Sequence, residues 1–116
     1  MSEIIYKITP REAWEQAVKA GVFEGAPIDV QDGYIHFSST TQVSETAAKH
    51  FAGHNDLMLV AVDSARLGDA LKWEASRGGA LFPHLYGPLQ MNAVLSAQAL
   101  PLGSDGAHLF PEEVRP

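Results

Sequence analysis

The 116-residue sequence contains no cysteine, which excludes disulfide bonds and zinc sites built from thiolates. Basic residues are also few: eight lysines and arginines stand against 14 acidic residues, giving a formal net charge of −6. Because sequence-independent nucleic-acid binding needs clustered positive charge, this balance argues against it. The longest apolar run, Leu57 to Val62, is too short to cross a membrane, and the first residues lack a signal-peptide pattern. A cytoplasmic protein without membrane association is therefore expected.

Apolar periodicity predicts a single α+β domain over residues 1–116, with a mixed or antiparallel sheet and two main helices. The core is expected at about residues 4–100, followed by a weakly specified tail at 103–116. Strands are predicted at Ile4–Ile8, Tyr34–Ser38, Leu57–Val62, Leu71–Ser76 and Val94–Leu100. The third of these strands is apolar throughout, which is typical of a central strand covered on both faces.

Two helices are predicted from capping signals. Thr9 and Glu12 have the spacing of a capping box, and Trp14, Ala17 and Val18 form a buried stripe in the helix that follows. A second helix is expected from Thr40 to Phe51. The segments 25–33 and 77–89 are rich in glycine and proline and are predicted as loops, with a short strand at 84–86.

His36 and Ser38 lie two residues apart and share one face of the predicted second strand. This strand leads into a helix start at Ser39 and Thr40, where backbone N–H groups attract phosphate or carboxylate. The pattern therefore suggests an anion or nucleotide subsite. The alternative is a capped helix beside a solvated strand face.

Glu74 is a candidate carboxylate that accepts a ribose hydroxyl or stabilises positive charge, and the alternative is a surface ion pair with Lys72. Arg77 precedes Gly78 and Gly79, a sequence that suits either an anion clamp or a flexible turn. Both interpretations stay open for each residue at the level of the sequence.

Phe82, His84 and Tyr86 are predicted to line a pocket, whereas Trp73 is expected in the core because it alternates with apolar neighbours.

No metal site is predicted. His50 and His54 have chelating spacing, but Gly53 is expected to end their helix. The sequence also lacks the Gly-x-Ser-x-Gly motif of a serine-hydrolase elbow.

Five blocks together resemble the small bacterial family catalogued as domain of unknown function 952: Ile4–Ile8, Asp32–Ser38, Asp56–Asp63, Leu71–Glu74 and Phe82–Leu89. The resemblance extends from about Ile4 to Leu100. That family has been grouped by fold with the ADP-ribosyltransferase-like proteins, which split NAD at the nicotinamide–ribose bond. The resemblance thus implies a split sheet with both helices near one end.

The resemblance also implies functions for particular residues. In the wider fold a histidine like His36 contacts the ribose and the nicotinamide amide, and an aromatic such as Tyr86 or Phe82 stacks on the nicotinamide. Many active transferases carry a glutamate on a late strand, but Val94–Leu100 has none and Glu74 lies earlier. This departure leaves nucleotide binding as the firmer expectation and catalysis open.

The resulting hypothesis is a cleft that binds NAD or a related nucleotide, with transfer or hydrolysis at the nicotinamide–ribose bond as the activity to test. In it Glu74 stabilises the developing charge, His36 orients the ribose and Arg77 holds the diphosphate. The first alternative is a non-catalytic module for a small anionic metabolite or a modified nucleotide. The second is an interaction domain, which predicts that the candidate polar residues lie far apart.

Overall fold

A computed structural model of the chain describes residues 3–76 and 79–114. The strands in this part of the chain are Ile4–Pro10 (β1), Val22–Phe23 (β2), Ile35–His36 (β3), Ser38–Ser39 (β4), Leu57–Asp63 (β5), Leu71–Ala75 (β6), Leu81–Leu85 (β7), Leu89–Gln90 (β8) and Val94–Leu100 (β9). The α-helices are Arg11–Ala20 (α1), Pro27–Asp32 (α2) and Val43–His50 (α3). Short 3-10 helices occur at 64–66, 68–70, 91–93 and 112–114.

The strands form three small sheets with the orders β4-β1-β5-β9, β3-β7-β6 and β2-β8. Every strand pair among the described residues is antiparallel. The predicted single α+β domain is therefore confirmed, and the sheets are antiparallel rather than mixed. Within the described residues, no helix is both long and apolar enough to span a membrane.

The four-stranded sheet has a core on each face. Along β5, Val60 and Val62 pack into one apolar cluster with Trp14 and Phe37. Leu57, Leu59 and Ala61 alternate with them and belong to a second cluster, which also holds Val43 and Val114. Because successive side chains of a strand point to opposite faces, a strand with a core on each side needs apolar residues on both faces, as β5 has. The sequence-based prediction of a central strand covered on both faces is confirmed.

Helix α1 begins later than the capping signal predicts. Strand β1 continues to Pro10, which pairs with Leu57, so Thr9 lies inside a ladder instead of capping a helix. The residue before the helix, Pro10, makes no side-chain capping hydrogen bond. Trp14 and Ala17 are buried as predicted, but Val18 is 55% exposed and does not belong to the buried stripe. The helix ends at Gly21, which has a φ of 84° and suits the left-handed position.

Helix α2 was not predicted, because its six residues are too few to establish a helical period. Pro27 occupies the first turn, and Gly33 follows the last residue with a φ of 88°. Asp29, in the first turn of the helix, accepts a hydrogen bond of 2.7 Å from the backbone N–H of Ala26, the residue before the helix. This bond satisfies a backbone donor at the helix start. The Pro and Gly signals used to predict a loop in fact mark the two ends of this helix.

The predicted strand at 34–38 is divided between two sheets. β3 pairs with β7, whereas β4 pairs with β1, and the chain turns from one sheet to the other at Phe37. Helix α3 starts at Val43 rather than Thr40, because Ser39 is held in the ladder and its backbone N–H donates to Oε1 of Gln42 (3.0 Å). The helix predicted from Thr40 to Phe51 is therefore shorter at both ends.

The segment 77–89, predicted as a loop, contains strand β7, which forms an antiparallel hairpin with β6. Strands β6 and β7 pair so that Lys72 lies opposite His84 and Glu74 opposite Phe82. Trp73 is 39% exposed, so its predicted place in the core is wrong. It lies on a face of β6 that the rest of the described chain leaves partly open, and alternation alone does not reveal whether a face is covered. Residues 77 and 78, including the candidate Arg77, lie outside the described residues.

The buried hydroxyl of Thr9 gives a stability prediction. Thr9 is fully buried, and its Oγ1 is an unpartnered buried side-chain polar atom within the described residues. We expect Thr9→Val to raise the free energy of unfolding by about 1 kcal/mol, because it removes an unsatisfied group with little change of shape. Urea denaturation measures this, with Thr9→Ser as the destabilised control. A Thr9→Val protein no more stable than the parent would contradict the expectation.

Candidate functional site

Two histidines from neighbouring strands lie side by side. His36 of β3 and His84 of β7 are partners in the antiparallel ladder, so their side chains project to the same face. Their ring centroids are 5.6 Å apart. Tyr34 stacks on His84 with ring centroids 4.2 Å apart and also contacts His36 at 4.7 Å. The interaction-domain alternative predicted widely separated residues and does not fit this geometry.

Both histidines line a cavity of about 450 Å³. Its wall includes three further residues singled out in the sequence, Ser38, Phe82 and His50. Other polar contributions come from Lys7, Asp32, Thr46 and Ser76, and apolar ones from Ile8, Ile28, Phe37 and Phe51. The volume falls in the range of about 300–1,000 Å³ that is usual for small-molecule sites.

His36 is fixed from behind by Asp29. Its Nδ1 lies 2.6 Å from Oδ1 of Asp29, and its backbone N–H donates to the same oxygen at 3.1 Å. Asp29 also accepts from Nζ of Lys7 at 2.9 Å, and both of these side chains are buried. Since an ionised carboxylate only accepts, Nδ1 of His36 carries a hydrogen. The buried carboxylate thereby sets the orientation of the ring.

The charge state of Asp29 follows from its partners. Burial by itself raises the pKa of this carboxyl, but the hydrogen bond from His36 and the charge and hydrogen bond of Lys7 outweigh it, lowering the pKa to about 2. Burial lowers the pKa of Lys7, and the adjacent Asp29 carboxylate opposes that effect. Asp29 is thus an anion that accepts hydrogen bonds from Lys7 and His36, both of which line the cavity.

A second carboxylate meets the other nitrogen of His36. Oδ2 of Asp32 lies 3.0 Å from Nε2, and the Asp32 side chain is 39% exposed. With a carboxylate on each nitrogen, the His36 ring has the arrangement of an imidazolium that donates on both sides.

His84 is held differently. Its Nδ1 lies 2.9 Å from Oε1 of Glu74, and the same oxygen accepts a hydrogen bond of 2.6 Å from the hydroxyl of Tyr86. These two hydrogen bonds, from Tyr86 first and then His84, lower the pKa of Glu74, and the bond to Glu74 raises the pKa of Tyr86 to about 12. Nε2 of His84 is the acceptor nitrogen when Nδ1 carries the hydrogen.

The remaining candidates from the sequence are not all at the cavity. Glu74 and Tyr86 do not line it: Glu74 contacts His84, which does, and Tyr86 donates to Glu74. Ser38 lines the wall, where its hydroxyl pairs with that of Thr46 at 2.8 Å. Ser39 is buried, with its hydroxyl 3.2 Å from that of Thr41, and neither Ser39 nor Thr40 contributes to the wall.

Comparisons with known proteins agree on the family. A family model described as protein of unknown function, DUF952, matches residues 8–97. The chain belongs to this family. A crystal structure of protein CC0527 from Caulobacter crescentus is 48% identical, with a TM-score of 0.91 over 96% of this chain and 97% of that one. A solution NMR structure of CC0527 is 51% identical, with a TM-score of 0.81 over 90% of each chain. No curated protein matches this chain.

In this DUF952 member, sequence reasoning missed four residues that contact the paired histidines or the carboxylate behind them: Lys7, Asp29, Asp32 and Tyr34. One signal was available, since Lys7 interrupts the apolar strand Ile4–Ile8 and a lysine there needs a buried partner. Nothing local marks Asp29, because its function depends on contacts with residues 7 and 22 positions away.

Proposed function

We propose that the cavity binds NAD or a related nucleotide, with His84 and His36 as the two polar contacts that orient it. The observation that carries this proposal is the pairing of two histidines whose rings lie 5.6 Å apart in one cavity, each held through Nδ1 by a carboxylate. Fixed donors and acceptors among apolar side chains are typical of small-molecule sites. The resemblance to ADP-ribosyltransferase-like proteins is the reason to begin with NAD.

His84 is the proposed contact for a sugar hydroxyl. With its Nδ1–H donated to Glu74, Nε2 presents a lone pair to which a ribose hydroxyl donates. Ser38 lines the same wall and supplies a second hydroxyl contact. Phe82 and Phe37 give the cavity aromatic surface against which a planar base packs.

The placement of Glu74 favours binding of an intact ligand over cleavage. Stabilising charge on a ribose needs a carboxylate beside it, but Oε1 of Glu74 already accepts from His84 and Tyr86 and does not line the cavity. We therefore treat Glu74 as a positioning residue for His84. The non-catalytic module predicted as the alternative is the form of the proposal that this geometry supports better.

The test is thermal unfolding with NAD, ADP-ribose, nicotinamide and unrelated anions, followed by an assay for released nicotinamide. A ligand at 100 times its dissociation constant adds about 2.7 kcal/mol, which corresponds to a shift of several degrees for a domain of this size. We expect stabilisation by NAD or ADP-ribose, its loss in His84→Ala, and no release of nicotinamide.

The matched control is His108→Ala, because His108 lies outside the cavity and donates from Nε2 to the carbonyl oxygen of His54 at 2.8 Å. This variant must keep the ligand response. Stabilisation by neither nucleotide would overturn nucleotide binding, and an equal response in His84→Ala would overturn the proposed contact with His84. Release of nicotinamide that is lost in Glu74→Gln would restore the catalytic form of the hypothesis.

A further inference from the structure

The two carboxylates on His36 differ in how firmly they are held. Asp29 has a fully buried side chain with four hydrogen-bond donors around it: Nζ of Lys7, the Nδ1 and backbone N–H of His36, and the backbone N–H of Ala26. Asp32 is 39% exposed, and its carboxylate forms an ion pair of 3.0 Å with Nε2 of His36. The first contact is built into the core, whereas the second is open to exchange.

The position of Asp32 in its helix also indicates that its carboxylate is weakly held. It is the last residue of α2, directly before Gly33, and it is exposed to the negative end of the helix dipole. A carboxylate there gains nothing from the helix and is disfavoured by it. Its contact with His36 is the favourable interaction that the described structure offers it.

Asp32 and His36 both line the cavity, and they contact each other through Oδ2 and Nε2. A ligand that contacts His36 from the cavity therefore meets Nε2, since Nδ1 is already occupied by buried Asp29. The same nitrogen is the one that Asp32 occupies at 3.0 Å. A contact between exposed charges of this kind is worth only about 0–1 kcal/mol, so a ligand group can replace it at low cost.

We propose that Asp32 is an internal competitor for the ligand, and that Nε2 of His36 is the subsite for an anionic oxygen, of a phosphate or a carboxylate, which replaces the Asp32 carboxylate. This inference rests on the proposed function, because it concerns the same cavity. It deepens that function by naming the ligand class: a molecule with a hydroxyl for His84 and an anionic oxygen for His36. A sugar phosphate has both groups close together, as the 5.6 Å spacing of the rings requires.

The test uses NMR of the histidine side-chain nitrogens in the full chain. Inorganic diphosphate and citrate are titrated separately into the parent protein, Asp32→Asn and Asp69→Asn. Asp69 is an exposed aspartate outside the cavity, so its variant changes the net charge by the same amount. We expect Asp32→Asn to bind diphosphate roughly five- to tenfold more tightly, since it removes a competing contact and a repulsive charge. Asp69→Asn should bind as the parent does.

The responding signal should be Nε2 of His36, and Asp32→Ala should reproduce the gain. A response to citrate as well as diphosphate would indicate a general anionic-oxygen subsite, and a response to diphosphate alone a phosphate subsite. Equal affinity in Asp32→Asn and the parent, an equal gain in Asp69→Asn, or no binding by any variant would overturn the proposal.

The two proposals fail separately. If diphosphate binds as expected but NAD and ADP-ribose stabilise nothing, the subsite stands and the nucleotide proposal falls. If a nucleotide stabilises the parent and Asp32→Asn equally, nucleotide binding stands and Asp32 is not a competitor.

Discussion

Replacing Asp29 with asparagine should lower the free energy of unfolding by about 3–5 kcal/mol, because the change leaves the ammonium of Lys7 buried without a counter-charge. Lys7 is only 5% exposed and cannot recover its hydration without local unfolding. The amide also weakens the acceptor that holds Nδ1 of His36 and the backbone N–H of Ala26. Urea denaturation with a fixed transition slope measures the loss.

Two further variants separate charge burial from simple loss of contacts. Lys7→Met should cost less than Asp29→Asn, since Asp29 then keeps His36 and the backbone donor of Ala26. The double variant Lys7→Met/Asp29→Asn should recover part of the loss, because no uncompensated charge stays in the core. A loss below about 1 kcal/mol in Asp29→Asn would mean that this buried pair does not hold the site together.

Lowering the pH should remove the stability that the Asp29 carboxylate contributes to the parent protein. The pKa of Asp29 is about 2 in the folded chain, against an ordinary value of 3.8. A carboxyl whose pKa is lowered on folding stabilises the folded state above its unfolded pKa, and the contribution disappears as pH falls toward the folded pKa. Between pH 5 and pH 2 the parent should therefore lose about 2 kcal/mol through this group alone.

Comparison with Asp29→Asn isolates the carboxyl from every other titrating group. The stability difference between the two proteins should be largest at and above pH 5 and shrink by about 2 kcal/mol at pH 2. Urea titrations at a series of pH values measure it. A difference that stays constant down to pH 2 would show that the Asp29 pKa is not lowered by folding.

Several parts of the fold could be predicted from the sequence because they depend on local patterns. The apolar run of β5 required a strand covered on both faces, and the clusters around Val60 and Leu59 cover it. The alternation of Leu71 to Ser76 likewise predicted a strand, which is present at Leu71–Ala75, and the last strand, predicted at Val94–Leu100, is present with those bounds. Capping signals were less reliable, since the pairing of Thr9 with Met58 kept that residue in the sheet.

Part of the site was also predictable. His36, Ser38, Phe82 and His84 were selected by residue type and by their position beside turns, and all four line the cavity. Glu74 was selected as a carboxylate facing a ligand, whereas in the structure it lies behind His84 as a hydrogen-bond acceptor. The residue type shows which hydrogen bonds a side chain can make. Whether that side chain faces the cavity or another residue depends on how its strand is paired.

Local sequence patterns are enough to predict the α+β class, the central strand and the two short segments that contain the histidines, because each depends on neighbours within a few residues. The folded chain is needed to show that His36 lies opposite His84, that Asp29 contacts one nitrogen of His36 and that Asp32 contacts the other. The pairing of β3 with β7 joins residues 48 positions apart, and the Lys7–Asp29 pair spans 22. Such contacts form only when hydrophobic burial brings distant segments together, and no local pattern encodes the partner.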